Sequence, residues 1–157
     1  MSPWQMDVGL TIGGVFRALI IAIVLTAVGA PLLGVPIDHP LPLIVATLLS
    51  ISMFASLGVV VGIHAETWDH NAFVQNLLIQ PLAFLGGVFY SITILPSPWE
   101  QLSYANPIFY IVECVRWGFL GTSDVPIALA FGVTVVLAAA AFMWTVWLFR
   151  TGRRLKP

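Results

Sequence analysis

Long runs without a charged residue are the feature that most constrains this chain. Four of them stand out in the sequence: Ala18–Ile37, Leu41–Ile63, Asn71–Trp99 and Val125–Phe149. Each is long enough to supply the ~20 mostly apolar residues that a helix needs to cross the hydrocarbon core of a bilayer. None alternates in the two-residue period of a barrel strand. The runs therefore predict membrane-spanning helices.

Composition excludes the other broad classes of protein. Apolar residues make up 59% of the chain and charged residues only 8%, too few polar side chains to cover a water-soluble domain. The net charge of −1 offers no basic field for nucleic acid. The single cysteine, Cys114, forms no internal disulfide and belongs to no cluster of metal ligands.

We expect an all-α integral membrane fold that forms one transmembrane domain over residues 1–157. Its four predicted spans lie near residues 10–35, 41–64, 72–95 and 125–149, with Pro96 and Pro98 ending the third. Four of the six basic residues lie in the tail 150–157, which the positive-inside rule places in the cytoplasm. Four spans then return the N-terminus to the same side, so both termini of this multi-pass protein of the inner (plasma) membrane are expected to be cytoplasmic.

The segment between the third and fourth spans carries many aromatic residues. Its uncharged part, residues 101–112, is too short to cross a bilayer, and Asn106-Pro107 divides it. Trp and Tyr favour the membrane–water boundary. We therefore expect two short helices near residues 97–121, re-entrant or interfacial, on the outer side of the membrane. A plain external loop is the alternative.

Glu113 and Arg116 are the charged pair of this segment, three residues apart and close enough to meet on a helix. Charges near membrane depth are costly and tend to be paired or functional. The pair is a candidate gate contact or a contact for a polar substrate group. The alternative is an ion pair on a helix surface, which stabilises little.

The polar turn after the second span suggests a metal site only weakly. His64 and His70 are six residues apart, whereas the zinc helix motif H-E-x-x-H needs two histidines four apart on one face. A solvated turn is the preferred interpretation, and we expect no metal, no cofactor and no catalytic residue. The sequence also contains no G-x-x-x-x-G-K-[ST] phosphate loop and no G-x-S-x-G motif.

Glycines mark possible sites of close helix packing. Gly58 and Gly62 are spaced as in G-x-x-x-G, which fits a dimer seam or an internal contact equally well. Gly86 and Gly87 fall two-thirds of the way along the third span, where they permit bending or close approach.

An ordered set of motifs covers most of the second half of the chain. It consists of P-L-A-F-L-G-G-V-F-Y at Pro81–Tyr90, Leu95-Pro96, A-N-P-I-F-Y at Ala105–Tyr110, Arg116 and Gly121. The set resembles the signature of permeases of type-2 ATP-binding-cassette (ABC) exporters. Ala65-Glu66-Thr67 and Ser2-Pro3 are similar to the multidrug and polysaccharide export branch of that family.

The resemblance implies a transport subunit rather than an enzyme. Such permeases have six spans, and this chain resembles the last four, as if truncated at its N-terminus. The family implies a homodimer in membrane lipid, a separate ATP-binding subunit that hydrolyses ATP, and outward movement of a substrate. The short outer helices would form an outer gate, with gate or substrate contacts from Glu113, Arg116, Asn106 and Tyr110, whereas Glu66, Asp69 and His70 would face the ATPase. A truncated, non-transporting membrane protein that packs against other permease subunits is the alternative.

Overall fold

Helices and turns form all of the chain that is described here. The computed structural model describes residues 3–64 and 68–151. Its helices, in chain order, are α1 (Pro3–Leu33), α2 (Pro40–His64), α3 (Trp68–Phe73), α4 (Gln80–Leu85), α5 (Trp99–Tyr104), α6 (Pro107–Leu120) and α7 (Ile127–Thr151). A π-helical segment, Val74–Ile79, joins α3 to α4, and a short 3₁₀ turn, Ile92–Ile94, precedes α5. The expected all-α class is confirmed.

Three helices in the described part of the chain are long and apolar enough to cross a membrane. They are residues 12–33 of α1, the whole of α2 and the whole of α7. Most of their apolar surface is not covered by the chain itself, as side chains such as Leu25 and Leu32 illustrate. This exposure suits helices whose surroundings are lipid or other membrane segments.

The helix of the third expected span ends earlier than predicted. It runs through α3, the π segment and α4 and stops at Leu85, ten residues before the expected end near residue 95. Gly87 has a φ of 75°, and a Cβ there would lie 3.0 Å from the carbonyl oxygen of Tyr90. This left-handed turn, rather than Pro96, ends the helix. The apolar helix Val74–Leu85 is thus shorter than the ~20 residues of a straight helical span.

The two short helices appear where the sequence placed them, within residues 97–121. Asn106 separates α5 from α6, and its side-chain oxygen accepts a hydrogen bond of 3.0 Å from the backbone N–H of Ile108. Pro107 follows at the first helical position, where its missing N–H costs nothing. Gly121, with a φ of 66°, ends α6.

The core lies where α2, α6 and α7 pack against one another. Small buried residues let these helices approach closely, among them Ala46 of α2 and Ala130 of α7, which pack with Cys114 of α6. α6 crosses α2 closely at Gly118, where an added Cβ would lie 2.7 Å from the Cβ of Leu43. α1 packs on the α2–α7 side of this core.

Replacing Gly118 tests this crossing. We expect Gly118→Ala to lower the free energy of unfolding in detergent micelles by about 1–3 kcal/mol, because the added methyl group overpacks the contact with Leu43. Gly132→Ala is the matched control, since a Cβ at Gly132 meets nothing within 4 Å. Equal thermal unfolding temperatures for the two variants would contradict the packing described.

Candidate functional site

A buried carboxylate lies at the centre of the most polar part of the structure. Glu113 of α6 is fully buried. One of its oxygens, Oε1, accepts a bond of 2.5 Å from Nη1 of Arg116. The other, Oε2, accepts from the hydroxyl of Ser123 at 2.9 Å and from the backbone N–H of Asp124. Both oxygens therefore have partners, which a buried charge requires.

Arg116 extends this arrangement to a second carboxylate and to the turn after α4. Its Nη1 also donates to Oδ2 of Asp124 at 3.2 Å. Its Nη2 donates to the carbonyl oxygens of Gly87 and Tyr90, the latter at 3.1 Å. A planar guanidinium with donors in a fixed fork is suited to holding several acceptors at once.

Asp124 completes the cluster from the loop between α6 and α7. Its Oδ2 accepts hydrogen bonds from the hydroxyl of Ser91 at 2.7 Å and from the backbone N–H of Ile92 at 3.3 Å. The turn 86–92 thus meets α6 and the loop 121–126 that directly follows α6. We call Glu113, Arg116 and Asp124 the charge cluster. Its formal charge is −1, from two carboxylates and one guanidinium.

The predicted pair Glu113–Arg116 is therefore brought together on α6, with Glu113 buried rather than on an exposed helix surface. Sequence reasoning missed Asp124 as the third member. Its only signal was an acidic residue next to Ser123, just before the last span and eight residues after Arg116. Because Asp124 lies in the loop after α6 and not on the helix itself, only the fold of that loop reveals its contact with Arg116.

Asn106 and Tyr110 lie at the break between the short helices. The side-chain amide of Asn106 donates to the carbonyl oxygen of Leu82, which anchors α6 to α4. The hydroxyl of Tyr110 donates to the carbonyl oxygen of Tyr104 at 2.8 Å. Burial, followed by the nearby carboxylate of Glu100, raises the pKa of the Tyr104 phenol. Neither Asn106 nor Tyr110 forms a hydrogen bond with the charge cluster.

The structure describes only part of the turn that is predicted to face the ATPase. Glu66 lies outside the described residues, and His70 is placed only by its backbone, in α3. Asp69 is exposed in the same helix. No group of three or more His, Cys, Asp or Glu residues that could hold a metal ion occurs among the side chains that are described.

The predicted packing glycines fall into two kinds. Gly58 and Gly62 are exposed, and a Cβ on either would meet nothing within 4 Å. Gly86 and Gly87 are buried, and a Cβ on Gly86 would lie 3.2 Å from the side chain of Ile108. The internal contacts are thus at Gly86 and Gly87, whereas the α2 pair presents an open face.

Comparison with known proteins settles the family. The family model of the ABC-2 type transporter matches residues 1–120. This chain is a member of the ABC-2 transporter family. It is 40% identical over 146 residues to the inner membrane transport permease YadH of Escherichia coli K12. The aligned region covers 92% of this chain and 56% of YadH.

More distant relatives include nodulation protein J of two rhizobia. The protein from Rhizobium leguminosarum bv. viciae is 32% identical over 74% of this chain and 43% of its own length. The protein from Rhizobium meliloti is 30% identical over 76% of this chain and 44% of its own length. The chain thus spans about half the length of the curated relatives it matches. No solved structure matches it.

Loss of Arg116 tests the charge cluster. Arg116→Met keeps the length of the side chain but leaves Glu113 buried without its countercharge. Removing one partner of a buried pair costs about 3–5 kcal/mol, so we expect a loss of that order in the free energy of unfolding in detergent. Adding Glu113→Gln should recover part of the loss, since no unpaired charge is then buried at that position.

The matched control is Arg150→Met, which removes an exposed arginine at the end of α7. Its unfolding temperature should stay near that of the unmodified protein. If Arg116→Met lowered the unfolding temperature no more than Arg150→Met does, the charge cluster would contribute little to stability.

Proposed function

We propose that this protein is the membrane-spanning subunit of an ATP-driven ABC exporter, working as a homodimer with a separate ATPase chain. Membership of the ABC-2 family and the relationship to a protein named a transport permease support this function. The observation that carries it furthest is the charge cluster, because it joins the short helices to the end of a membrane segment. Movement of the short helices relative to the end of this membrane segment would have to break the charge cluster.

In this proposal the segment 72–95 is the third of four crossings, completed by the non-helical turn after α4. Irregular backbone at membrane depth needs partners from the protein itself, because lipid supplies none. Here Arg116 bonds the carbonyl oxygens of Gly87 and Tyr90, and Asn106 bonds that of Leu82. These donors fit α5 and α6 as re-entrant or interfacial helices that form an outer gate.

The contacts of the α1–α2 turn support the proposed orientation, with both termini in the cytoplasm. The backbone N–H groups of Asp38 and His39 donate to the carbonyl oxygens of Phe119 and Gly118, at 3.2 and 3.0 Å. The turn and the C-terminal end of α6 thus lie at the same end of the helix bundle. A basic tail in the cytoplasm puts both of them on the outer side.

Labelling of cysteines from outside the cell tests this orientation. Cys114 is fully buried, so the native thiol gives little background. We expect Thr122→Cys, exposed in the loop after α6, to react with an impermeant thiol reagent in intact spheroplasts. Thr151→Cys, exposed at the end of α7, should react only after the membrane is permeabilised. The reverse labelling pattern would contradict the proposed orientation and show that the membrane topology is inverted.

The proposed partners occupy different surfaces. A second copy would contact the open face of Gly58 and Gly62 on α2, and lipid would cover the exposed apolar side of α1. The turn that includes Asp69 would face the ATPase on the cytoplasmic side. The alternative, a non-transporting membrane protein that packs against other permease subunits, requires no ATPase of its own.

Native mass spectrometry separates the two functions. For protein released gently from its own membranes, we expect two permease chains and an ATP-binding partner in one complex. Gly58→Ile should shift the complex towards single permease chains, because a bulky side chain keeps α2 helices apart. Gly132→Ile on the open face of α7 is the control. Complexes that contain complete permease subunits but no ATPase would favour the alternative.

A further inference from the structure

A proline interrupts the helix that contains α4. Pro81 lies in the first turn of α4, directly after the π segment Val74–Ile79. An α-helix would need a hydrogen bond from this position to the carbonyl oxygen of Leu77, but proline has no N–H and its ring clashes with that carbonyl. In the π segment the backbone N–H of Gln80 donates to the carbonyl oxygen of Gln75, five residues earlier. This wider turn gives the preceding carbonyls room beside the proline ring.

The part of α4 that follows the proline is held in place by its neighbours. The side-chain amide of Asn106 donates to the carbonyl oxygen of Leu82 and so ties α4 to α6. The hydroxyl of Tyr90 donates to the carbonyl oxygen of Phe84 at 2.9 Å and ties α4 to the turn that follows it. Both bonds reach carbonyls within three residues after Pro81, so this end of the helix can neither rotate nor tilt without breaking them.

Pro31 offers a comparison within the same chain. It also lies inside a helix, but α1 is α-helical on both sides of it and ends two residues later. A helix end with so little chain after it can bend away from the ring, which is the usual response to a proline. At Pro81 the bonds to Leu82 and Phe84 oppose such a bend, and the helix relieves the clash by widening instead.

The widened turn changes the rotation of the helix that precedes the proline. A π turn holds about one residue more than an α turn, because its hydrogen bonds reach back five residues rather than four. One residue corresponds to about 100° in an α-helix of 3.6 residues per turn. Because α4 is bound at its carbonyls, closing the π segment into an α-helix would rotate residues 68–79 by about that angle. Asp69 of α3 would then point in a different direction relative to α6.

We propose that Pro81 is a positioning residue that, together with the bonds from Asn106 and Tyr90, maintains the π segment and thereby sets the direction in which α3 faces. The consequence for transport rests on the proposed function: the π segment turns Asp69 and its neighbours towards the ATPase. The role of Pro81 in maintaining the π segment involves this chain alone and is testable without any partner.

Replacing the proline and then deleting one residue tests this role. Pro81→Ala restores the missing N–H, so we expect the π segment to close and a side chain of α3 about 5 Å from the helix axis to move by about 8 Å. Deleting Leu78 as well removes the extra residue and should return α3 to its original direction. The measurement is the distance between spin labels at Phe73→Cys and Val135→Cys, both exposed, in labelled chains diluted with unlabelled ones. The native Cys114 is buried and adds little background label.

The label distance should change by at least about 3 Å in Pro81→Ala and return in the variant that also lacks Leu78. Pro31→Ala is the matched control and should leave the distance unchanged, since no π segment precedes Pro31. An unchanged distance in Pro81→Ala, or one that the deletion does not restore, would overturn the proposal.

Co-purification of an ATP-binding chain with the same variants tests the consequence for transport. We expect Pro81→Ala to lose this partner and the variant that also lacks Leu78 to recover it. A shifted label distance with equal amounts of ATPase in all variants would show that the direction of α3 does not matter for the partner. Absence of an ATPase from the unmodified protein would contradict the proposed exporter function, whereas the label distances would still decide the role of Pro81.

Discussion

The second half of the structure depends on the contacts that the guanidinium of Arg116 makes. It neutralises a fully buried carboxylate, Glu113, and also binds two carbonyl oxygens of the turn that follows α4. Without it, a charge and part of an irregular turn would be buried unsatisfied, and each is expensive in an apolar environment. Arg116 thus links the short helices to the membrane segment before them, together with the bond from Asn106 to the carbonyl oxygen of Leu82.

Polar side chains fall into three groups that differ in where their hydrogen-bond partners lie. Each group occupies a different region of the structure. Hydroxyls in α2 and α7 bond to carbonyl oxygens of their own helices, so they need no partner from outside these helices. The charge cluster uses bonds between segments, which makes it strong but dependent on their relative positions. The side-chain amides of Gln75, Asn76 and Gln80 are exposed and have no hydrogen-bond partner among the described residues.

The sequence predicted much of the fold and two of the three residues of the charge cluster. The long uncharged runs identified α1, α2 and α7, and Asn106-Pro107 identified the break between α5 and α6, because these signals are local. The i,i+3 spacing also predicted the contact between Glu113 and Arg116. Asp124 could not be predicted, since it reaches the cluster only when the loop after α6 folds back.

Hydrophobicity and the side-chain patterns of single helices determined by themselves that this is a helical membrane protein, and its motifs indicated the family. The tertiary structure decided where the 68–85 helix ends and which carbonyls Arg116 binds. The reason is physical: burial in a bilayer acts on each segment separately, whereas a helix end or a buried charge is stable only when a distant segment supplies its partner.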